Sequence, residues 1–115
     1  MHNIAEDHLP LKPRRHLALL LLAEEPTYGI ALMERLEARS GGRIRLNAGS
    51  LYRMIGGLVD DGLVEPLEEV AAGVGAPRKH YGVTHLGRSV LRAEARRQAD
   101  LLELARGLDL AGEVE

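Results

Sequence analysis

Residues 47–64, Asn-Ala-Gly-Ser-Leu-Tyr-Arg-Met-Ile-Gly-Gly-Leu-Val-Asp-Asp-Gly-Leu-Val, decide how this chain folds. Leu51, Ile55, Leu58 and Val59 fall at i, i+4, i+7 and i+8, a single apolar face at helical period. Asn47 is a residue type that caps a helix start, and Gly62 is one that ends a helix. The opposite face of the helical wheel carries Gly49, Arg53, Gly56, Gly57 and Asp60, flanked by Ser50 and Tyr52. A face this small, with hydroxyls and one guanidinium, can lie close to another macromolecule. From Leu63 onward the pattern becomes that of a short strand.

Outward from this stretch, the chain divides into short, punctuated elements. Residues 1–13 are mixed in character and end in Pro-Leu-Lys-Pro, which predicts a loosely ordered arm with at most one helical turn. Residues 14–23 form a first helix, stopped by Glu24, Glu25 and Pro26. Thr27 is expected to cap a second helix running to about Arg39, with Ile30, Met33 and Leu36 facing inward. Ser40-Gly41-Gly42 is a turn, and residues 43–46 lead into the central helix. Residues 63–67 and 79–83 read as two strands of a hairpin whose tip holds Gly73, Gly75 and Pro77. Thr84 caps a last helix to about Arg106, on the order of 35 Å long at ~1.5 Å per residue. The expected organisation is therefore an arm (1–13), a helix-rich domain with a β-hairpin (14–83), a long helix (84–106) and a tail (107–115).

A chain of 115 residues with 45% apolar residues supports one small core. With no Phe and no Trp, Leu, Val, Ile and Ala must build it. The absence of Cys excludes disulfides and thiolate metal sites and suits a cytoplasmic protein. The longest apolar run, residues 17–23, is too short to span a membrane, and no small-residue cleavage site follows it. The net charge is −2, but it is unevenly spread. Residues 1–58 carry 8 basic and 6 acidic side chains, whereas residues 59–115 carry 7 and 11. Arg43, Arg45 and Arg53 surround the central helix with no acid between Glu37 and Asp60.

The last helix carries more apolar surface than a small domain can cover. Leu86, Val90 and Ala93, then Leu101, Leu104 and Leu108, follow a 4-3 spacing interrupted by Arg97. Leu91, Ala95, Ala99 and Leu102 make an adjacent stripe. Two stripes suggest one for the helix's own domain and one for a second copy, with Leu86, Val90, Leu101, Leu104 and Leu108 as dimerisation residues.

Several fragments, in order and at their spacing, resemble the PadR family of transcriptional regulators. Leu17-Ala18-Leu19-Leu20 with Thr27-Tyr28-Gly29 is similar to the family's first helix and the entry to its second. Gly49-Ser50-Leu51-Tyr52-Arg53 resembles its G-[ST]-L-Y recognition-helix motif, and Asp61-Gly62-Leu63-Val64 its helix-to-wing turn. Pro77-Arg78-Lys79-His80-Tyr81 and Val83-Thr84-His85-Leu86-Gly87 are similar to the returning wing strand and the start of the dimerisation helix. The resemblance implies a mainly α fold with a small β-hairpin: a winged helix-turn-helix plus a long C-terminal dimerisation helix, of the family's short branch. It implies a homodimeric DNA-binding regulator, usually a repressor, acting on an inverted-repeat operator in double-stranded DNA and released by a small-molecule effector or another signal. Three departures stand out. Ile30 occupies a place that is often aromatic, Gly56-Gly57 replaces bulkier polar or basic residues, and the Trp used by some effector pockets is absent.

Within that frame the candidate DNA-binding residues are Tyr28, Arg43, Arg45, Asn47, Ser50, Tyr52, Arg53, Gly56, Gly57, Arg78 and Lys79. Ser50, Tyr52 and the free N–H groups near Asn47 suit a phosphate at a helix start. Tyr52 can equally be a half-buried core aromatic. Arg53 suits the acceptors of a guanine edge, or an ion pair with acids on the Asp60 side. Arg78 and Lys79 on the wing, with Arg43 and Arg45 beside the turn, suit backbone phosphates, although Arg45 can simply alternate out of an extended segment. Gly56 and Gly57 each cost roughly 0.5–1 kcal/mol in a helix, so either they admit close approach of DNA or packing tolerates them. The five histidines are scattered, no metal or cofactor is indicated, and no nucleophile–base set, phosphate-cradling loop or paired carboxylate motif suggests an enzyme. Two other readings stay open: a winged helix used for protein contacts through Glu65, Glu68 and Glu69, and an effector-binding helical dimer with weak DNA contact.

Overall fold

The computed structural model describes residues 4–68, 78–110 and 112. A 3-10 turn (Ile4–His8) precedes α1 (Pro13–Glu24), β1 (Thr27–Tyr28), α2 (Gly29–Arg39), α3 (Ala48–Asp60), β2 (Val64–Pro66), β3 (His80–Val83) and α4 (His85–Gly107). The fold is mainly helical with a small antiparallel sheet, as the sequence indicated. The hairpin tip with Gly73, Gly75 and Pro77, and also Glu69, lie outside the described residues.

The elements arise largely where local signals place them. Asn47 caps α3, its Oδ1 accepting from the Ser50 N–H at 2.8 Å. Leu51, Ile55 and Leu58 are buried on one face of that helix. Gly62 takes a left-handed φ of 78° just past its end, which glycine adopts without a Cβ clash, and the chain turns into β2. Thr84 caps α4: its Oγ1 accepts from the Gly87 N–H at 2.9 Å and donates to the Gly62 carbonyl at 2.6 Å. That second bond ties the start of α4 to the end of α3. Gly87 is fixed by packing, since a Cβ there would fall closer than 3.0 Å to the Leu63 carbonyl oxygen and to Val83.

The core joins α1, α2, α3, β2 and α4 through Leu19, Leu22, Leu32, Leu36, Leu51, Leu58, Val64 and Val90. The C-terminus of α1 is bound to α2 by Glu24, which accepts from Arg35 at 2.8 Å and Arg39 at 3.1 Å. Those two guanidiniums, Arg39 foremost, hold the Glu24 carboxyl below the ordinary carboxylate range.

Four expectations need correcting. First, Thr27 does not cap the second helix. Thr27 and Tyr28 form a third strand against β3, with Thr27 opposite Tyr81 and Tyr28 opposite His80, so the sheet order is β1-β3-β2. Second, α2 therefore starts at Gly29, and its core side chains are Leu32 and Leu36. Ile30 is 39% exposed rather than inward. Third, the arm is not loose where it is described. Ala5 and Leu11 are buried, and the 3-10 turn packs on α4. Its anchor is Glu94, which is fully buried on α4 and accepts the Leu11 N–H at 2.9 Å while Arg97 donates to both its oxygens. Fourth, Leu86 and Val90 serve the chain's own packing: Val90 is buried in the core, and Leu86, half-buried, packs against it. The apolar surface left uncovered on α4 lies beyond the domain, where Leu101 is 51% and Leu104 62% exposed, with Leu102 and Leu108 also exposed. Among the described residues, no helix is long and apolar enough to cross a membrane.

Candidate nucleic-acid interface

The exposed face of α3 is the centre of the candidate surface. Capping by Asn47 satisfies the Ser50 N–H, while Ala48 and Gly49, both exposed, have no intrahelical acceptor for theirs. Arg53 folds back over this first turn. Its Nη2 donates to Ser50 Oγ at 3.2 Å, and its Nη1 lies 3.4 Å from where a Cβ on Gly49 would sit. Arg53 makes no ion pair with Asp60, so the guanidinium keeps donors free toward solvent among the described residues. The result is a helix start carrying unpaired N–H groups, a hydroxyl and one guanidinium on its outer side.

Tyr52 leaves the same helix on its other flank and is 47% exposed. Its phenol end lies against the start of α2: a Cβ on Gly29 would sit 2.6 Å from the phenolic oxygen and 2.8 Å from two ring carbons. Gly29 is thus the seat of Tyr52, and the two alternatives for this tyrosine merge: the phenol end is packed while about half of the side chain stays exposed. Tyr52 also neighbours Tyr81 on β3, whose phenol is pushed up chiefly by burial and further by Tyr52.

The wing base closes this flank. The Arg78 guanidinium carbon lies 4.6 Å from the centre of the Tyr28 ring, a cation–π contact, and His80 meets the same ring edge-on at 5.7 Å. Tyr28, Tyr52, Tyr81, Arg78 and Lys79 line a cleft of about 440 Å³. Strand β1 makes this possible, because its pairing with β3 sets Tyr28 beside the returning wing strand. Tyr28 is a candidate by its residue type, but nothing local marks the strand that positions it.

The remaining candidates separate. Arg43 is exposed beside the turn. Arg45 is engaged with its own turn, donating from Nε to the Gly42 carbonyl at 3.1 Å and lying 3.3 Å from Glu37, which favours the local reading of this residue. Gly56 opens to free space. Gly57 does not share that surroundings. A Cβ there would fall closer than 3.0 Å to Arg15 Nη2, and Arg15 crosses over it to pair with Asp61 at 2.6 Å. Gly57 therefore lies beneath a side chain of α1, and only Gly56 offers bare backbone. The sequence also missed Lys12, Arg14 and Arg15, which the start of α1 brings beside Ser50 and Arg53 around a second cleft. Nothing local marks them, since α1 and α3 meet only in the folded chain.

This geometry can accept a strand of phosphates along α3, with cations on both sides, and can present Arg53 to a groove. The profile of the transcriptional regulator PadR-like family matches residues 18–93. A PadR-like transcription factor from Bacteroides fragilis is 29% identical, with 82% of this chain and 87% of that chain covered, at a TM-score of 0.67. RosR of H. salinarum is 26% identical, with 84% and 81% covered, at a TM-score of 0.68. A PadR-like transcriptional regulator from Bacillus cereus, 23% identical with 86% and 92% covered, shares the fold at a TM-score of 0.70. No curated protein matches the chain.

Proposed function

The chain belongs to the PadR-like family of transcriptional regulators, and from that premise we propose that it is a homodimeric, sequence-specific DNA-binding repressor that leaves its operator in response to a signal. Members of this family are transcriptional regulators, not enzymes. The observation that carries the reading is the outer side of α3, where Ser50 and Arg53 sit at a capped helix start between the wing cations and those of α1. In this reading Arg53 contacts a base edge. Ser50, Tyr52 and Tyr28 hold backbone phosphates, and Arg78, Lys79 and Arg43 add screened attraction at adjacent phosphates. Asn47 organises the helix start, and Arg45 contributes less because Glu37 holds it.

The exposed leucines of the distal half of α4 support a two-fold dimer, and a two-fold dimer reads an inverted repeat with half-sites about one helical turn apart or a multiple of it. The test is fluorescence anisotropy against the duplex directly upstream of the coding region, at several salt concentrations. The expected result is tight binding whose affinity falls log-linearly with salt, exceeding that for unrelated DNA at least ~1000-fold. Salt-independent behaviour or no affinity for any duplex would refute the proposal, and would leave the protein-contact reading of this fold standing.

A further inference from the structure

Helices α3 and α4 begin at side-chain caps of their own, Asn47 and Thr84. Helix α1 does not. Lys12 stands at its N-cap position without a side-chain cap bond, and Pro13 follows as the first helical residue. The start of α1 is fixed from a distance instead. Leu11, the residue before that position, donates its N–H at 2.9 Å to Glu94 Oε1 on α4. Glu94 has no exposed surface, and Arg97 meets its charge, donating from Nε to Oε2 and from Nη2 to Oε1 at 3.1 Å. Arg97 is the residue that interrupts the apolar spacing of α4 in the sequence, and it balances this buried carboxylate. One turn into α1, His16 meets Gln98 of α4 at 3.3 Å. A leucine at position 94 would fill the same space without the cost of burying a charge, but only an acceptor can hold the Leu11 N–H.

We infer that Glu94 is a positioning residue for DNA binding: through the Leu11 N–H it sets where Lys12 and Arg14 stand, and so carries the placement of α4 to the cations beside the first turn of α3. Lys12 and Arg14 lie next to Ser50 and Arg53 and have no acidic partner among the described residues. Arg15 is held separately by Asp61 at 2.6 Å, so its place does not depend on this clasp. The positioning role rests on the DNA reading of α3 given above; the clasp itself does not.

Substitutions at this one position separate reach from charge. Glu94→Gln keeps an acceptor oxygen at the same reach and loses the charge, whereas Glu94→Asp keeps the charge and is one methylene too short. Glu94→Ser is both short and uncharged, and is expected to behave as Glu94→Asp does. Amide hydrogen exchange read by NMR follows the Leu11 N–H directly. Protection at Leu11 is expected in the wild type and in Glu94→Gln and is lost in the two short variants, with protected α3 amides reporting that each is folded. Anisotropy with duplex DNA of arbitrary sequence, at several salt concentrations, reads the second step, since phosphate contacts carry no sequence information. The short variants should bind at least tenfold more weakly at about 0.1 M salt, with a salt slope lower by about one unit per lost contact, while Glu94→Gln keeps the wild-type slope. Lys12→Ala/Arg14→Ala should show the same loss, and adding Glu94→Asp to it should change nothing further. A Leu11 amide that exchanges freely in the wild type overturns the clasp. Equal salt slopes in Glu94→Asp and Glu94→Gln, or additive losses in the combined variant, would make Glu94 a stabilising residue only and overturn the inference. A wild-type protein with no affinity for any duplex contradicts the proposed function and the positioning role with it, while Leu11 exchange still decides the clasp.

Discussion

Alanine at Gly56 and alanine at Gly57 should have different effects, although the two residues are adjacent in one helix. Each substitution gains roughly 0.8–1 kcal/mol of helix propensity. At Gly56 nothing lies within 4 Å of the added Cβ, so the whole gain should be realised, raising the melting temperature by about 3–6 °C for a chain of this size. At Gly57 the methyl takes the place of Arg15 Nη2, and Arg15 must leave Asp61. That pair is partly exposed and is worth about 0.2–1 kcal/mol, so the net effect falls between about zero and 0.8 kcal/mol. The assay is thermal unfolding by circular dichroism at one fixed protein concentration, since a dimer's melting point depends on it. A double-mutant cycle adds the control. In an Arg15→Ala background the two alanines should stabilise equally. Equal stabilisation in the wild-type background, or a difference that survives removal of Arg15, would refute the geometric argument. Operator binding separates the functional claim: only Gly56→Ala should weaken it, and full affinity in that variant would mean that DNA does not approach the bare backbone there.

Four other outcomes are expected. Glu94 is held below its ordinary value of 4.5 first by the Arg97 hydrogen bonds and then by the Leu11 N–H, against the effect of burial. Its contribution is therefore complete above about pH 4.5 and lost as pH falls through the lowered value. Glu94→Gln should cost about 1–2 kcal/mol at pH 7 and flatten the acid limb of a stability–pH curve, leaving a residual slope from Glu24; an unchanged slope would sink this assignment. Replacing Leu101 and Leu104 by Glu should give monomers in sedimentation, and an unaltered stable dimer would exclude this end of α4 from the interface. Arg78→Ala with Lys79→Ala should weaken operator and unrelated DNA about equally and lower the salt slope by about one unit per lost contact; loss on the operator alone would mean that the wing reads sequence. Arg53→Ala should cost roughly 1–3 kcal/mol and relax preference at one base pair per half-site, whereas an unchanged preference would move base readout to Ser50 or Tyr52.

What could be read directly from the residues was local. The Asn47 cap, the period of Leu51, Ile55 and Leu58, the stop at Gly62 and the Thr84 cap each act within a few residues, and each is present in the structure. Features set by distant partners were not legible. Strand β1 is two residues long, too short to show a period, and exists only because Tyr81 and His80 lie alongside it. Misplacing it shifted the start of α2 and put Ile30 on the wrong face. Nothing around Glu94 in the sequence sets it apart from the other charges of α4, since its buried acceptor role depends on a backbone N–H 83 residues away. Gly57 likewise has no local sign that Arg15 crosses it. Within the candidate surface, residue types on α3 were legible, while the contributions of α1 and β1 required the fold.

The chain's aromatic residues have a spectroscopic consequence. There is no Trp and no Phe, and Tyr28, Tyr52 and Tyr81 all line one cleft beside the wing. Near-ultraviolet absorption and intrinsic emission therefore originate at that single place, with no background from the core. A ligand strand laid across it would quench or shift every chromophore the protein owns, whereas an event at the distal end of α4 would change them only by transmission through the fold. The unlabelled protein is in this sense its own reporter, able to distinguish occupancy of the wing side of α3 from events elsewhere in the chain.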